Sequence, residues 1–276
     1  MISRLDLHRA AALAAFVLLG AHQSAHAQDQ KPTSLTVEQA KEIVAGKNVE
    51  LVQSVTELSV EVAQILSQFS KGDLRLNRVR TITPEVARAL APQGKKGVTL
   101  WLGLTTITPE VAKALAAHSR GMLALNALDK IPVEVARELA QFRGKLTLNG
   151  LTTLSPEVAR ELAKHRSKFT LFGLMEVSDE AAEALSHHRS TMLLNGLTKL
   201  TSVPLTTTML KSNDGFLTLS KVQTISDGVV QVFAEYKGSR PIRLTGLTDL
   251  SEVNAARLRA NEKIVLPSKF QKPGRK

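Results

Sequence analysis

A unit of 23–25 residues recurs along nearly the whole chain, and this repetition limits the possible folds more than any other feature. The unit is clearest from Leu146 to Lys168, which reads LTLNGLTTLSPEVARELAKHRSK. One position, placed to start a helix, recurs at Thr36, Ser59, Thr83, Thr108, Pro132, Ser155, Ser178, Thr201, Ser226 and Ser251. Ser and Thr are preferred helix N-caps. Such regular spacing predicts stacked repeats that share one core with their neighbours.

Within each unit, the residue pattern predicts a short strand, a turn and a helix. Leu146 and Leu148 alternate with polar residues, as a half-buried strand requires. Ser155 and Pro156 suit an N-cap and a first helical residue. Leu162 then falls on the apolar face of the helix, seven residues after the N-cap. All the other units also have an apolar residue at this position, with one exception, where the residue is Thr208.

The strand halves of the units share a register that extends the prediction to the whole fold. Strands are expected at 49–51, 74–76, 98–100 with one extra residue as a bulge, 123–125, 146–148, 169–171, 192–194, 217–219 and 242–244, with a closing strand at 264–266. Strand-to-helix crossovers are normally right-handed. The predicted fold class is therefore α/β, a right-handed solenoid of about ten 23–25-residue repeats with a parallel sheet on one face. The helix signals of two late repeats are weakened by Pro204, by the Thr run at 206–208 and by Gly228. These departures reflect either sequence drift in terminal repeats or a locally reshaped surface.

The unit resembles a leucine-rich repeat, in particular exported bacterial variants with LxLxGLTxLSPEVAxxLA units. The resemblance extends from about Leu35 to Leu258. One column departs from the family pattern, because Leu or Val stands where ordinary leucine-rich repeats carry a turn-bridging Asn, as at Leu151 and Leu174. The resemblance implies an interaction scaffold and carries no catalytic residue across.

The ends of the chain predict export and an unstructured tail. Residues 1–27 have a basic start, an apolar run and an Ala25-His26-Ala27 cleavage pattern, so they read as a signal peptide. Residues 28–34 read as a linker, 35–266 as the solenoid and 267–276 as a basic disordered tail. No later segment is long enough to span a membrane, and the chain has no cysteine. We expect a periplasmic or secreted protein without disulfides.

The outward positions of the strands and the turns that follow them are the candidate binding surface. It comprises Trp101, Asn126, Asn149, Phe172, Leu193 and Asn195. One interpretation is a polar binding face on which Phe172 and Leu193 form an apolar anchor for a partner. The other interpretation is an Asn and Thr ladder that stabilises the sheet itself.

Histidine and glutamate also recur, and both have a structural interpretation and a functional one. His118, His165 and His188 lie ten residues after their N-caps, where they face helix carbonyls or, less commonly, bind a metal. Recurrent glutamates such as Glu157 could act as paired catalytic acids, but their place in the positively polarised first helical turn explains them without catalysis. We therefore predict no cofactor, no metal and no enzymatic activity.

The net charge of +11 leaves two functions open. The first is a non-enzymatic exported scaffold for protein–protein or cell-surface interactions. The alternative is a basic cell-envelope protein that binds anionic lipid or polysaccharide by charge, aided by the 269–276 tail. No specific nucleic-acid binding is expected, because the basic residues are otherwise spread along the chain.

Overall fold

The computed structural model describes residues 33–91, 99–117, 121–212 and 217–271. The described residues from Ser34 onward belong to one compact unit. The predicted signal peptide, most of the predicted linker, His118 and the last five residues of the tail lie outside the described residues. Within the described part of the chain, no helix is long and apolar enough to cross a bilayer.

Ten α-helices are found in the described residues, one for each predicted unit. They are α1 (Val37–Val44), α2 (Val60–Leu66), α3 (Pro84–Leu90), α4 (Pro109–Ala116), α5 (Val133–Leu139), α6 (Pro156–Leu162), α7 (Asp179–Ser186), α8 (Val203–Lys211), α9 (Asp227–Ala234) and α10 (Glu252–Arg259). Successive helices pack side by side. Each buries two or more apolar residues, for example Val158, Ala159 and Leu162 of α6.

The N-cap prediction is confirmed at nine positions and is wrong at the tenth. The hydroxyl of Ser155, for instance, accepts a hydrogen bond from Val158 N at 3.3 Å. At the exception, α8 begins after Ser202 instead of Thr201, and the Ser202 hydroxyl caps Leu205 N. This one-residue shift places buried Met209 seven residues after the cap, so Thr208 no longer breaks the apolar pattern.

The degenerate helix α8 is longer than its sequence suggests. Pro204 lies in its first turn, where a missing N–H costs nothing. The hydroxyls of Thr206 and Thr207 donate to the carbonyls four residues earlier, at 2.7 and 2.9 Å. Thr208 donates instead to Ser186 O in the preceding repeat, at 2.7 Å. The threonine run therefore ties α8 to itself and to α7 and does not end the helix.

A six-stranded parallel sheet occupies the middle of the chain. Its strands, in spatial and sequence order, are β1 (Leu74–Leu76), β2 (Thr99–Leu102), β3 (Met122–Ala124), β4 (Lys145–Thr147), β5 (Phe169–Thr170) and β6 (Met192–Leu193). Their inward leucines stay in register, as in the pairing of Leu74 with Leu100 and of Leu123 with Leu146. The α/β class and the parallel sheet are thus as predicted, over six strands.

Beyond β6 the pairing differs from the prediction. Residues 217–219 form no strand. Instead β7 (Lys199–Leu200) pairs with β8 (Thr224–Ile225), just before the N-caps of α8 and α9. The closing strand is confirmed, because β10 (Ile264–Val265) pairs with β9 (Ile242–Arg243).

Two strand predictions near the N-terminal end are wrong. Residues Val49–Gln53 form a 3-10 helix, entered through Asn48 at a left-handed φ of 50°. This segment contacts β1 but does not pair with it, and no described strand precedes it to hold it extended from the other side. The second wrong prediction concerns the register of β2, for which the sequence predicts Val98 and Leu100 at the inward positions. In the structure these positions are taken by Leu100 and Leu102, which pair with Leu74 and Leu76. The turn after β2 is one residue shorter than in Leu146–Leu151, so no bulge is needed.

The start of the predicted disordered tail is ordered in the structure. Ser268–Phe270 forms a 3-10 turn, and Phe270 packs against the core. Arg259 donates to Phe270 O at 2.9 Å, and Lys269 donates to Thr248 O at 2.7 Å. Because these bonds reach both the turn and the helix of the last repeat, residues 268–270 cover that end of the core.

Candidate binding surface

The strand–turn face consists of the outward strand positions and the turns that follow them. Its middle is more buried than the alternating pattern indicates. Thr147 and Thr170 are each 8% exposed, and Leu193 is only 4% exposed. Parallel pairing sets them side by side, so that Thr147 lies between Ala124 and Thr170, and Thr170 lies between Thr147 and Leu193. The expected anchor of Phe172 with Leu193 therefore lacks one member, since Leu193 offers almost no surface to a partner.

Asn126 and Asn149 form an asparagine ladder across this face. Asn126 Oδ1 accepts hydrogen bonds from Thr147 Oγ1 and from Asn149 N, both at 3.0 Å. Asn149 Oδ1 accepts in the same way from Thr170 Oγ1 at 2.7 Å and from Phe172 N at 3.1 Å. Each amide thus joins its repeat to the next one. These bonds favour the structural interpretation of the Asn and Thr columns.

The ladder changes at Phe172, and the following repeat changes with it. Phe172 stands where the two preceding repeats have Asn, so it offers no side-chain acceptor. In the next repeat, Leu193 replaces the Thr whose hydroxyl would need that acceptor. A buried hydroxyl without a hydrogen-bond partner lowers the stability of the fold. Phe172 and Leu193 together therefore replace one hydrogen-bonded Asn–Thr pair of the ladder, which we call a rung, by two apolar side chains. Asn195 restores the Asn of this column, but its Oδ1 accepts from Thr218 N at 3.4 Å, two residues earlier in the repeat than the backbone N–H bound by Asn149.

We expect Asn149→Ala to reduce the free energy of unfolding by about 1–3 kcal/mol, because it leaves Thr170 and Phe172 N without their acceptor. Urea unfolding followed by circular dichroism measures the change. Asn77→Ala is the matched control, since Asn77 occupies the same column, is exposed and makes no side-chain hydrogen bond to another described residue. Equal effects of the two substitutions would contradict a stabilising role for the ladder.

An exposed apolar residue that the sequence analysis missed lies near Phe172. Met175 is 59% exposed and Phe172 is 39% exposed, and both belong to the turn between β5 and α7. The equivalent positions in the flanking repeats carry Asn149 and Asn195 for Phe172, and Thr152 and Thr198 for Met175. The departure from Thr at position 175 was a signal available in the sequence. We call Phe172 and Met175 the apolar pair.

Trp101 belongs to a separate group at the first edge of the sheet. It lies in the outward column beside Arg75 and Ala124. Its Nε1 donates to Asp73 Oδ2 at 3.2 Å, and the Arg75 guanidinium lies 5.0 Å from its ring centroid. Burial alone would raise the pKa of Asp73, but hydrogen bonds from Thr99, Arg75 and Trp101 lower it. Three strand positions, ~14 Å, separate Trp101 from the Phe172 repeat, so the structure does not combine them.

His165 and His188 lie inside the protein, in the loops that follow α6 and α7. They are 1% and 4% exposed, and their rings stack at a centroid distance of 6.5 Å. Phe142, at the same position one repeat earlier, stacks on His165 at 6.4 Å. His188 Nδ1 contacts Ala163 O at 3.3 Å, at the end of α6. This is the helix-carbonyl contact predicted from the sequence in preference to a metal site.

The remaining ring nitrogens of the two histidines have no hydrogen-bond partner among the described residues. Burial lowers the pKa of His188 to about 4. Burial also lowers the pKa of His165, although the carbonyls of Ala140, Gly144 and Lys168 partly oppose it. Both rings are therefore neutral at pH 7. The described residues include no group of three side chains that could hold a metal ion.

The recurrent glutamates occupy the first helical turns, as predicted. Hydrogen bonds from the backbone N–H of Glu157 itself and from Ser155 lower the Glu157 pKa, and Glu85 and Glu110 behave alike. Each carboxylate thus has a structural partner at the positive end of its helix.

An open groove with a volume of about 1080 Å³ runs between α6 and α7. Ala163, Ala184 and His165 are among its lining residues. Its other lining residues are Arg160, Lys164, Arg166, Glu180, Glu183, His187 and Arg189. Lys164, Arg166, His187 and Arg189 lie beyond the ends of the two helices. The groove is therefore basic at the helix C-terminal edge.

These features define an α/β repeat protein with a parallel sheet, a hydrogen-bonded strand–turn face and one basic edge. No family model matches the chain, and no curated protein is significantly similar to it. Among solved structures, the chain is similar to a chain of the Toll–Spatzle complex from Drosophila, with a TM-score of 0.49 and 10% identity. The match covers 85% of this chain and 35% of that one. The likeness is weak and does not place the chain in a family.

Proposed function

We propose that the chain is an exported, non-enzymatic scaffold that binds a protein or cell-surface polymer through its strand–turn face. In this proposal, leucine-rich-repeat-like units of the exported bacterial type form a right-handed solenoid, and the 1–27 segment directs the protein to the periplasm or the exterior. The observation that carries the proposal is the apolar pair, which interrupts a face otherwise lined by Asn and Thr.

The apolar pair supports binding because it exposes apolar surface that the fold does not require. Flanking repeats build the same turn with Asn and Thr. Thr198 N and Oγ1 both donate to Met175 O, at 2.8 and 3.1 Å, so the backbone of this turn is held by the next repeat. A large apolar side chain on a fixed turn is a common anchor in protein interfaces.

The structural partners of the candidate catalytic groups support a non-enzymatic role. The first-turn glutamates bond to their own helix ends, and His188 contacts a helix carbonyl. Asp73 is held by Arg75 and Trp101. Each group has a role in the fold, so no reaction is needed to explain its presence.

The test replaces each member of the apolar pair by the residue of the neighbouring repeats, as Phe172→Asn with Met175→Thr. We expect the double variant to keep the unfolding midpoint within a few degrees and to lose most of its partner capture. The measurement is capture from a cell-envelope extract by the immobilised protein at high salt, where charge-led contacts are screened.

Val253→Thr is the matched control, because Val253 is 63% exposed but lies in α10, outside the strand–turn face. It should capture the same partner as the parent protein. If the apolar-pair variant captures that partner equally well, the pair is not the binding site.

A second candidate function is charge-led binding of anionic lipid or polysaccharide. The specific observation in its favour is the basic helix C-terminal edge, where Lys164, Arg166, His187 and Arg189 are all exposed. Such binding should weaken steeply between low and high salt, whereas capture by the apolar pair should persist.

A further inference from the structure

Building on the charge-led function, the geometry points to an acidic polysaccharide as the ligand of an arginine ladder. The ladder consists of Arg143, Arg166 and Arg189. They occupy the same position in three successive repeats, eleven residues after the N-caps Pro132, Ser155 and Ser178. All three side chains are exposed. In the described residues, none of them makes an ion pair or a side-chain hydrogen bond.

Consecutive stacking places the three arginines in a row along one edge. Their loops connect α5 to β4, α6 to β5 and α7 to β6, and these strands pair in order. Adjacent loops are therefore separated by a distance between the strand spacing of ~4.8 Å and the helix spacing of roughly 8–10 Å. Arg166 and Arg189 line the same groove. A linear ligand that lies across the repeats would meet one guanidinium per repeat.

The loops that carry the ladder contain no carboxylate. Residues 140–145, 163–168 and 187–191 include Lys145, Lys164 and His187 as further exposed basic or titratable groups, and no Asp or Glu. Lys164 already pairs with Glu161 of α6 at 2.8 Å. The acidic residues of these three helices lie within the helices, in the first turns at Glu134, Glu157, Asp179 and Glu180 and further along at Glu138, Glu161 and Glu183. The loops beyond the helix ends thus carry one sign of charge, while Glu180 and Glu183 line the neighbouring groove.

Each arginine of the ladder directly follows a buried planar side chain. Phe142, His165 and His188 precede Arg143, Arg166 and Arg189, and the three buried rings form a stack. The stack fixes the backbone from which each guanidinium extends. A ladder on a fixed backbone binds a repeating ligand at a smaller cost in conformational entropy.

The chemistry of the edge favours a polysaccharide over other polyanions. A guanidinium can bind a carboxylate or a sulfate through two parallel hydrogen bonds. Single-stranded nucleic acid also needs aromatic platforms, but Phe142 and Phe169 at this edge are buried. Proteins that lie on a lipid surface commonly add apolar side chains that enter it, and the large exposed apolar residues of the described chain lie away from this edge, at helix starts or in the Phe172 turn.

The experiment compares two charge-matched variants of the full mature protein. Arg143→Gln, Arg166→Gln and Arg189→Gln together remove the ladder. Lys130→Gln, Lys199→Gln and Lys221→Gln together remove the same charge from exposed positions on the strand–turn side. The probes are polygalacturonate, a heparin oligosaccharide, an oligothymidylate DNA and vesicles with anionic phospholipid. We expect the ladder variant to bind the two polysaccharides roughly tenfold more weakly, and the control less than threefold more weakly.

Histidine imidazole signals in NMR spectra provide a local readout, because His165 and His188 adjoin the ladder. Polysaccharide should shift these signals in the parent protein and in the control, and not in the ladder variant. Equal loss of affinity in both variants would overturn the ladder and leave charge-led binding in place. If neither polysaccharide binds the parent protein, the ladder fails as a polysaccharide site, and if the anionic vesicles also do not bind, the charge-led function fails with it. Tighter binding of DNA or vesicles at equal charge would overturn the choice of ligand.

Discussion

Replacing His165 and His188 together by Phe is expected to abolish most of the acid sensitivity of this protein. At pH 7 the two side chains are neutral and buried, and they stack between Phe142 and the next layers of the core. The repeat pattern itself tolerates the substitution, because buried Phe69 and Phe142 occupy the equivalent position in earlier repeats. We expect the double variant to fold at pH 7 and to remain folded at a lower pH than the parent.

The expected direction follows from proton linkage. Burial lowers the pKa of His188 from 6.5 to about 4, and that of His165 is lowered as well. Between pH 6.5 and 4 the unfolded chain therefore binds more protons than the folded one, so stability falls as the pH falls. His188 alone accounts for a loss of about 3 kcal/mol over this window. The charge of a protonated His165 would lower the pKa of His188 further.

The measurement is a set of urea unfolding curves between pH 7 and 4 for the parent and for the double variant. His187→Gln is the control, because His187 is exposed and follows the same helix. It should keep the pH dependence of the parent. An unchanged slope of stability against pH in the Phe variant would show that carboxylates, and not this pair, set the acid sensitivity.

Gly150→Ala is expected to reduce the free energy of unfolding by roughly 2–3 kcal/mol, because the strand–turn packing leaves no room for a methyl group. A Cβ at this position would lie 2.4 Å from Asn126 O and 2.5 Å from Leu128 O. These are backbone atoms of the preceding repeat, so relief requires the two turns to separate. Gly173 and Gly196 have equally close contacts to Asn149 O and Phe172 O.

Ala127 provides the control for this prediction, since it occupies the same column. It follows the turn after β2, which is one residue shorter, and its Cβ is accommodated. Ala127→Gly should cost at most about 1 kcal/mol, through backbone entropy alone. Thermal and urea unfolding of both variants measures the difference. A Gly150→Ala protein as stable as the parent would show that adjacent turns can move apart without cost.

Most helices could be predicted from the sequence because their signals are local. A capping Ser or Thr, a proline in the first turn and an acidic residue beside it lie within four positions, as at Ser155. The strand errors have a different origin. The register of β2 depends on the length of the turn that follows it, compared with the same turn in the neighbouring repeat. Val49 lacks a preceding strand with which to pair. Neither fact is contained in the segment itself.

The candidate site was predictable only in part for the same reason. The Asn columns were found, but their bonds to Thr147 and Thr170 appear only when consecutive repeats are stacked. Leu193 looked exposed by alternation and is covered by its neighbours. The basic residues are scattered along the sequence, and folding gathers Arg143, Arg166 and Arg189 on one edge.

The asparagine ladder also bears on how such a chain can change its length during evolution. Asn126 and Asn149 bond to the next repeat through the same atoms, at the same two partners. A tandem duplication of residues 146–168 would therefore place each copy between neighbours it already matches. The Phe172–Leu193 rung lacks this interchangeability, because each of its members is suited to the other. Gene duplication should thus add or remove whole units before Phe172 more readily than across it.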